Sequence, residues 1–237
     1  MDYNLKGNIA IIPARGGSTR IPKKNIIDFN GSPLIEWTIR AAIDSGIFEK
    51  IIVSTDDHEI REISILAGAE VPFLRSDFAD DFSPSSLATI DCLKNAENFW
   101  NQSFKYVAQL MPTCPLRNSK SISDSYNSFI ENDRDFQISA YKSIFSSLYW
   151  AHTLDKDNRA KKIFSKSKQE RSQDLGEVFL PSGAIWLAKA SMLKEAESFY
   201  GNNYVFEEIS WLQALDIDTS YELEIAMKLH SIFYQAE

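Results

Sequence analysis

Short apolar runs alternate with amphipathic helical stretches through the first half of the chain. That alternation restricts the fold to a sheet whose strands run mostly parallel. Ile9-Ala10-Ile11-Ile12 reads as a buried strand. Over residues 33–45 the apolar side chains Ile35, Ile39, Ala42 and Ile43 share one helical face, and Gly46 stops the helix. Residues 50–54 form the next strand, and Asp57 caps a helix running to about Ala67, ended by Gly68. Residues 71–74 read as a third strand. Ser83-Pro84 supplies an N-cap and a proline at the first helical position for a helix to about Phe99. A fourth strand over 106–111 and a helix over about 119–132 complete the series. Helices are expected on both faces of this sheet, and a ligand beyond the carboxyl ends of its strands.

The pattern changes over residues 136–179, where short β-like pieces are interrupted by a polar, basic stretch over 156–173. This reads as an antiparallel insertion projecting from a single domain of residues 1–237, with exposed aromatics suited to a subunit contact. Residues 184–187 return to a buried strand. Thr219 and Glu222 make a capping box for a last helix carrying Leu223, Ala226, His230 and Phe233 on one face.

The first strand runs into PARGGSTRIPKKN, residues 13–25. Gly16 and Gly17 can adopt backbone angles closed to other residues, which lets successive N–H groups line a concavity for an anion. Arg15, Arg20, Lys23 and Lys24 add positive charge with no acid among them, and Ser18 and Asn25 add neutral polar groups. In a chain of net charge −8 such a cluster stands out as a phosphate grip. Neither GxxxxGK[ST] nor GxGxxG is present, so it is neither a Walker loop nor a dinucleotide fingerprint. The same net charge argues against nucleic acid or an anionic membrane as partner.

Asp216-Ile217-Asp218 is the second constellation. On an extended chain, residues two apart point to one side, so both carboxylates would face the cleft and Ile217 the core. Paired carboxylates suit Mg²⁺, which also binds substrate phosphates. Cys92 and Cys114 are the only cysteines and form no CxxC, which argues against zinc and for reduced thiols. The N-terminus lacks the pattern of a signal peptide, and no apolar run approaches the roughly 18 residues that span a bilayer. A cytoplasmic protein is expected.

These motifs, in order, resemble the acylneuraminate cytidylyltransferases, the CMP-sialic and CMP-nonulosonic acid synthetases. The resemblance rests on PARGGSTRIPKKN, IIVSTDD, GAEVPFLR, the PSS at Pro84, MPTCPLR at Met111, PSGAIW at Pro181 and DIDT at Asp216, and covers nearly the whole chain. It implies a Rossmann-like sheet of the nucleotide-diphospho-sugar transferase type, with CTP and a sugar acid as substrates. By resemblance Arg15, Gly16, Gly17, Ser18, Arg20, Lys24, Asn25, Arg75 and Ser86 bind the nucleotide. Met111, Thr113, Arg171, Gln173, Ser182 and Gly183 lie toward the sugar, with Asp174 in the same stretch. Arg15, Lys24, Asp216 and Asp218 carry catalysis, and the two aspartates hold Mg²⁺. The family's usual GGSK is GGST here, so Thr19 replaces a lysine; Met111, Cys114, Leu180 and Ser182 also replace the family's usual side chains. A homodimer is implied, its insertion reaching toward the partner's cleft. The alternatives are a 3-deoxy-octulosonate-type cytidylyltransferase, an NAD(P)-dependent oxidoreductase on a parallel sheet, and a non-catalytic sugar-nucleotide-binding relative.

Overall fold

A computed structural model describes residues 7–78, 83–143, 148–164 and 176–233. Strand β1 (Asn8–Pro13) is buried along its whole length. After the phosphate-loop candidate, a small hairpin of β2 (Asp28–Phe29) and β3 (Ser32–Pro33) leads into α1 (Leu34–Asp44). There follow β4 (Lys50–Ser54), α2 (His58–Leu66), α3 (Ser85–Trp100), β5 (Tyr106–Gln109), α4 (Ser119–Glu131) and β6 (Phe136–Lys142). A second hairpin, β7 (His152–Leu154) and β8 (Ala160–Lys162), precedes β9 (Phe179–Lys189), α5 (Ala190–Ala196), β10 (Val205–Glu208) and α6 (Ser220–Phe233).

The central sheet has the order β10-β6-β9-β5-β1-β4. β1 pairs parallel with β4 and β5, and β10 parallel with β6; β9 runs antiparallel between β5 and β6. The expected α/β sheet, mostly parallel with helices on both faces, is therefore present. The period-2 alternation of β1 divides the core. Ala10 and Ile12 join the cluster under α1 and α4, whereas Ile9 and Ile11 join the cluster under α3 and α5. A smaller third cluster joins Ile21 of the loop, Phe29, Leu34, Leu116, Ile217 and Ala226, tying the loop to α6.

Local end signals act as the sequence requires. Asp57 accepts the N–H groups of Glu59 and Ile60 at the start of α2. Gly46 and Gly68 follow their helices at φ 65° and 98°. The Thr219 hydroxyl accepts from Glu222 N at 3.3 Å, and the Glu222 carboxylate accepts from Thr219 N at 2.7 Å.

Several expectations need correction. Residues 71–74 form no strand; an isolated parallel bridge, Ile52 to Glu70, forms just before them. Pro72 has no N–H to extend a ladder. Pro84 occupies the N-cap of α3 in extended geometry (ψ 138°), one position before the expected one, and no side chain caps it. The fourth strand stops at Gln109, leaving Met111 beyond its carboxyl end. Phe233, expected on the core face of α6, is 59% exposed. The segment expected as an insertion begins with β6, which is a strand of the central sheet. Among the described residues of that segment, β7 and β8 pair with each other as an antiparallel hairpin outside that sheet.

Candidate active site

The loop after β1 is held by its own side chains and by β4. Ala14 N donates to Ser54 O at 2.9 Å, and the Asn25 amide donates to the Arg15 carbonyl at 2.9 Å. Lys23 takes the left-handed conformation (φ 53°) and directs its ammonium to Glu59 on α2, away from the cleft. Arg15, Ser18, Arg20, Lys24 and Asn25 remain on the wall of an open cleft. Thr19 lies beside them, on a small concavity shared with Arg15, Ser18, Arg20 and Lys24.

The glycines act differently from the expected nest. Neither Gly16 nor Gly17 has positive φ among the described residues. A Cβ at Gly16 would lie 2.8 Å from Asp57 Oδ2, so the glycine permits the loop to approach α2 closely. Gly16 N donates to Asp56 Oδ1 at 2.9 Å, so this N–H is already engaged. Gly17 is open around its Cα.

Arg75 lines the same cleft. Its backbone is fixed by donation from N to Thr55 O at 2.8 Å. The residue is 7% exposed, and neither Nε nor Nη2 has a hydrogen-bond partner. The nearest acid, Asp56, is 3.8 Å from Nη2. Burial lowers the guanidinium's pKa, partly opposed by Asp56. A buried cation with unsatisfied donors on a cleft wall is arranged for an anion. Ser83 and Ser85 also line this cleft, whereas Ser86 is buried in the first turn of α3 and is not on its wall. Ser85 Oγ accepts from Gln109, whose carbonyl oxygen takes the Thr89 hydroxyl at 2.7 Å.

The DIDT segment closes the cleft. Ile217 is fully buried, its N donates to Thr113 O at 2.9 Å, and the aspartates on either side point outward. Lys24 Nζ donates to Ile217 O at 2.8 Å and to Asp218 Oδ1 at 3.0 Å, and Arg20 lies 3.1 Å from Asp218 Oδ2. Partial burial pushes the Asp218 carboxyl up, but Lys24 and Arg20 outweigh it and hold it below the usual range. Asp216 is open to solvent yet sits in a concavity. Burial raises its pKa, a Thr113 hydrogen bond lowers it, and the charge of Asp218 raises it; the net shift is upward.

Asp218 also lines a second concavity, together with Asp216, Gly183, Tyr141 and Trp211. Two wells therefore meet at one carboxylate. Met111 and Thr113 lie on the first, Ser182 and Gly183 on the second. The Ser182 hydroxyl is engaged, donating to Ala214 O at 3.0 Å and accepting Ala184 N at 3.2 Å. A Cβ at Gly183 would meet Met111 Cγ at 2.8 Å, so only glycine allows β9 to pack there. Arg171, Gln173 and Asp174 lie outside the described residues. Sequence reasoning missed Asp56, Ser85, Tyr141 and Trp211. Asp56 carried a usable signal, since it follows β4 at the same sheet edge as the first loop.

The sequence matches the family described as Cytidylyltransferase over residues 9–237. The chain belongs to the cytidylyltransferase family. It is 36% identical to a pseudaminic acid cytidylyltransferase of Campylobacter jejuni (strain 81-176), over 97% of this chain and 98% of that protein. It is 32% identical to a CMP-N,N'-diacetyllegionaminic acid synthase of Legionella pneumophila, over 96% and 98%. In fold it resembles a CMP:2-keto-3-deoxy-manno-octonic acid synthetase solved with CTP (TM-score 0.71, 16% identity, 95% and 98% covered).

For a cytidylyltransferase the metal question falls on Asp216 and Asp218. Among the described residues no group of three or more histidine, cysteine, aspartate or glutamate side chains could hold a metal. The pair alone fits Mg²⁺, which commonly takes one or two protein carboxylates and completes its shell with phosphates and water. Asp218 is ion-paired through both oxygens, so a cation there would compete with Lys24 and Arg20.

Proposed function

We propose that this cytidylyltransferase joins CMP to a nonulosonic acid, releasing pyrophosphate from CTP, and that the acceptor is of the pseudaminic or diacetyllegionaminic type. The observation that carries the reading is Arg75: a buried guanidinium with free donors, on the wall of one cleft with Arg15, Arg20 and Lys24. That cleft suits a triphosphate. The adjoining well, with Asp216 and Asp218 at its edge, suits the acid. The anomeric hydroxyl attacks the α-phosphorus from the second well, and the bond to pyrophosphate breaks toward the cationic loop. Arg15, Arg20 and Lys24 spread the charge of the departing pyrophosphate, and this chemistry depends chiefly on positioning and electrostatics. Asp216 and Asp218 would hold Mg²⁺, which supplies neutralisation of the triphosphate when bound.

Further support concerns setting and assembly. Cys92 and Cys114 are free, buried thiols, as suits a reducing compartment. No helix among the described residues is long and apolar enough to cross a membrane. Exposed Trp150, Leu154, Ile163 and Phe164 around the β7–β8 hairpin favour a homodimer.

The test is coupled pyrophosphate release with CTP and Mg²⁺ against pseudaminic, legionaminic, N-acetylneuraminic and 3-deoxy-octulosonic acids. Release is expected with the nonulosonic acids and negligible with the octulosonic acid. Release with the octulosonic acid alone would reassign the enzyme.

A further inference from the structure

We propose that Asp56 is a positioning residue with two effects on the nucleotide cleft: its carboxylate anchors the first loop through Gly16, and its charge tempers the cleft's grip on phosphates. The proposal rests on the reading of that cleft as the nucleotide site.

Asp56 stands on a segment that is fixed on both sides. Ser54 O accepts Ala14 N at 2.9 Å, at the start of the loop. Thr55 O accepts Arg75 N at 2.8 Å, and Thr55 Oγ1 accepts Asp57 N at 3.1 Å. Asp57 Oδ1 in turn caps α2, accepting Glu59 N at 2.7 Å and Ile60 N at 3.0 Å. From this bracket a single oxygen, Asp56 Oδ1, accepts Gly16 N at 2.9 Å and lies 3.8 Å from Arg75 Nη2. The first loop and Arg75 come from separate parts of the sequence and meet the same atom.

That atom acts differently on the two. The bond from Gly16 N has ordinary length and a charged acceptor, so it holds the loop. The loop can come this close because a Cβ at Gly16 would lie 2.8 Å from Asp57 Oδ2. Toward Arg75 the separation is too long for a hydrogen bond. The guanidinium therefore keeps Nε and Nη2 for a ligand while it feels the carboxylate's charge. Burial disfavours the Arg75 cation most, Asp56 is the largest charge that favours it, and Arg15 disfavours it further. The same negative charge opposes a polyphosphate in the cleft. A fixed acid beside the donors lowers the affinity for an anion without removing any donor.

The experiment is titration calorimetry with CTP and with pyrophosphate, at a fixed Mg²⁺ concentration and at low and high salt, for the wild type, Asp56→Asn and Asp56→Ala. Asparagine keeps an acceptor oxygen for Gly16 N and lacks the charge. Asp56→Asn is expected to bind both ligands about three- to tenfold more tightly than the wild type at low salt, the scale of one partly screened charge. The gain should shrink at high salt. Asp56→Ala loses the anchor as well, and should bind CTP at least about threefold more weakly than Asp56→Asn, the scale of one hydrogen bond. A purely structural role predicts equal or weaker binding in Asp56→Asn; that result, or a gain indifferent to salt, overturns the tempering charge. Equal CTP affinity in the two variants overturns the anchor. Either outcome leaves the nucleotide cleft intact, whereas a wild type that binds neither CTP nor pyrophosphate overturns that reading and the role of Asp56 with it.

Discussion

At the scale of single residues, the site is a set of charges whose partners are incomplete by different amounts. Arg75 is the extreme case, with two buried donors unmatched and Asp56 at 3.8 Å. Such a residue costs the folded state stability and is restored by an anion. Replacing it by Met is therefore expected to weaken CTP binding about ten- to hundredfold, the scale of one or two charged hydrogen bonds. The melting temperature should stay level or rise. Titration calorimetry with CTP and a thermal melt check both; undiminished CTP affinity would remove Arg75 from the site. Asp218 differs, because its partners are present before any ligand arrives. Asp218→Ala should leave a folded protein with nearly no turnover at saturating Mg²⁺. Near-normal pyrophosphate release would remove it from the reaction.

At the scale of elements, the N-terminus of α6 couples stability to the site. Glu222 caps the helix and in the same contact holds the backbone N–H of Asp218. Glu222→Ala should cost about 1 kcal/mol and lower kcat further than that loss of stability explains. Glu222→Gln, still an acceptor, should restore most of both, as calorimetry and turnover would report. The other end of α6 is pinned by His230, 3% exposed and set edge-on against Trp37 at 4.2 Å and Phe29 at 5.3 Å. The Asn30 amide lies 3.1 Å from its Nδ1 and also donates to Met227 O at 2.8 Å. Burial depresses the imidazole pKa, so the unfolded chain binds the proton more readily than the folded one. Its contribution is complete above the unfolded value near 6.5 and is lost as pH falls through that value toward the folded one. Melting temperatures should fall more steeply from pH 7 to 5 in the wild type than in His230→Gln; parallel curves would refute the linkage.

These elements also mark what the sequence made legible. The Asp57 cap, the Thr219–Glu222 box and the burial of Ile217 between outward aspartates all depend on neighbours within a few positions, so they can be read along the chain. Residues 71–74 misled because an apolar run signals a strand whether or not a neighbour can pair with it, and Pro72 prevents the pairing. α5 and β10 went unforeseen for a related reason: one is a single short helix, the other an edge strand whose Phe206 is exposed. The second well was invisible because Tyr141, Trp211 and Ile225 meet only in three dimensions. Ser182 likewise reads as a free hydroxyl until Ala214 and Ala184 engage it.

At the scale of the whole molecule, the feature still to be matched with a function is the β7–β8 hairpin. It forms its own two-stranded sheet outside the central one. An isolated two-stranded hairpin is at best marginally stable in water. This one carries Leu154 at 65% exposure and Ile163 at 53%, with Trp150 and Phe164 nearby. Apolar surface of that kind on a small arm calls for a cover, and the proposed homodimer supplies one. Sedimentation equilibrium should then give twice the 27.0 kDa chain mass at micromolar concentration. Leu154→Lys with Ile163→Glu should shift the protein toward monomer while leaving the central domain folded. If the hairpin also completes the partner's acceptor well, kcat/KM for the acid should fall with dissociation while CTP binding persists, since Arg75 and the first loop belong to one chain. A wild-type monomer retaining full activity at nanomolar concentration would show that each cleft is complete without its neighbour.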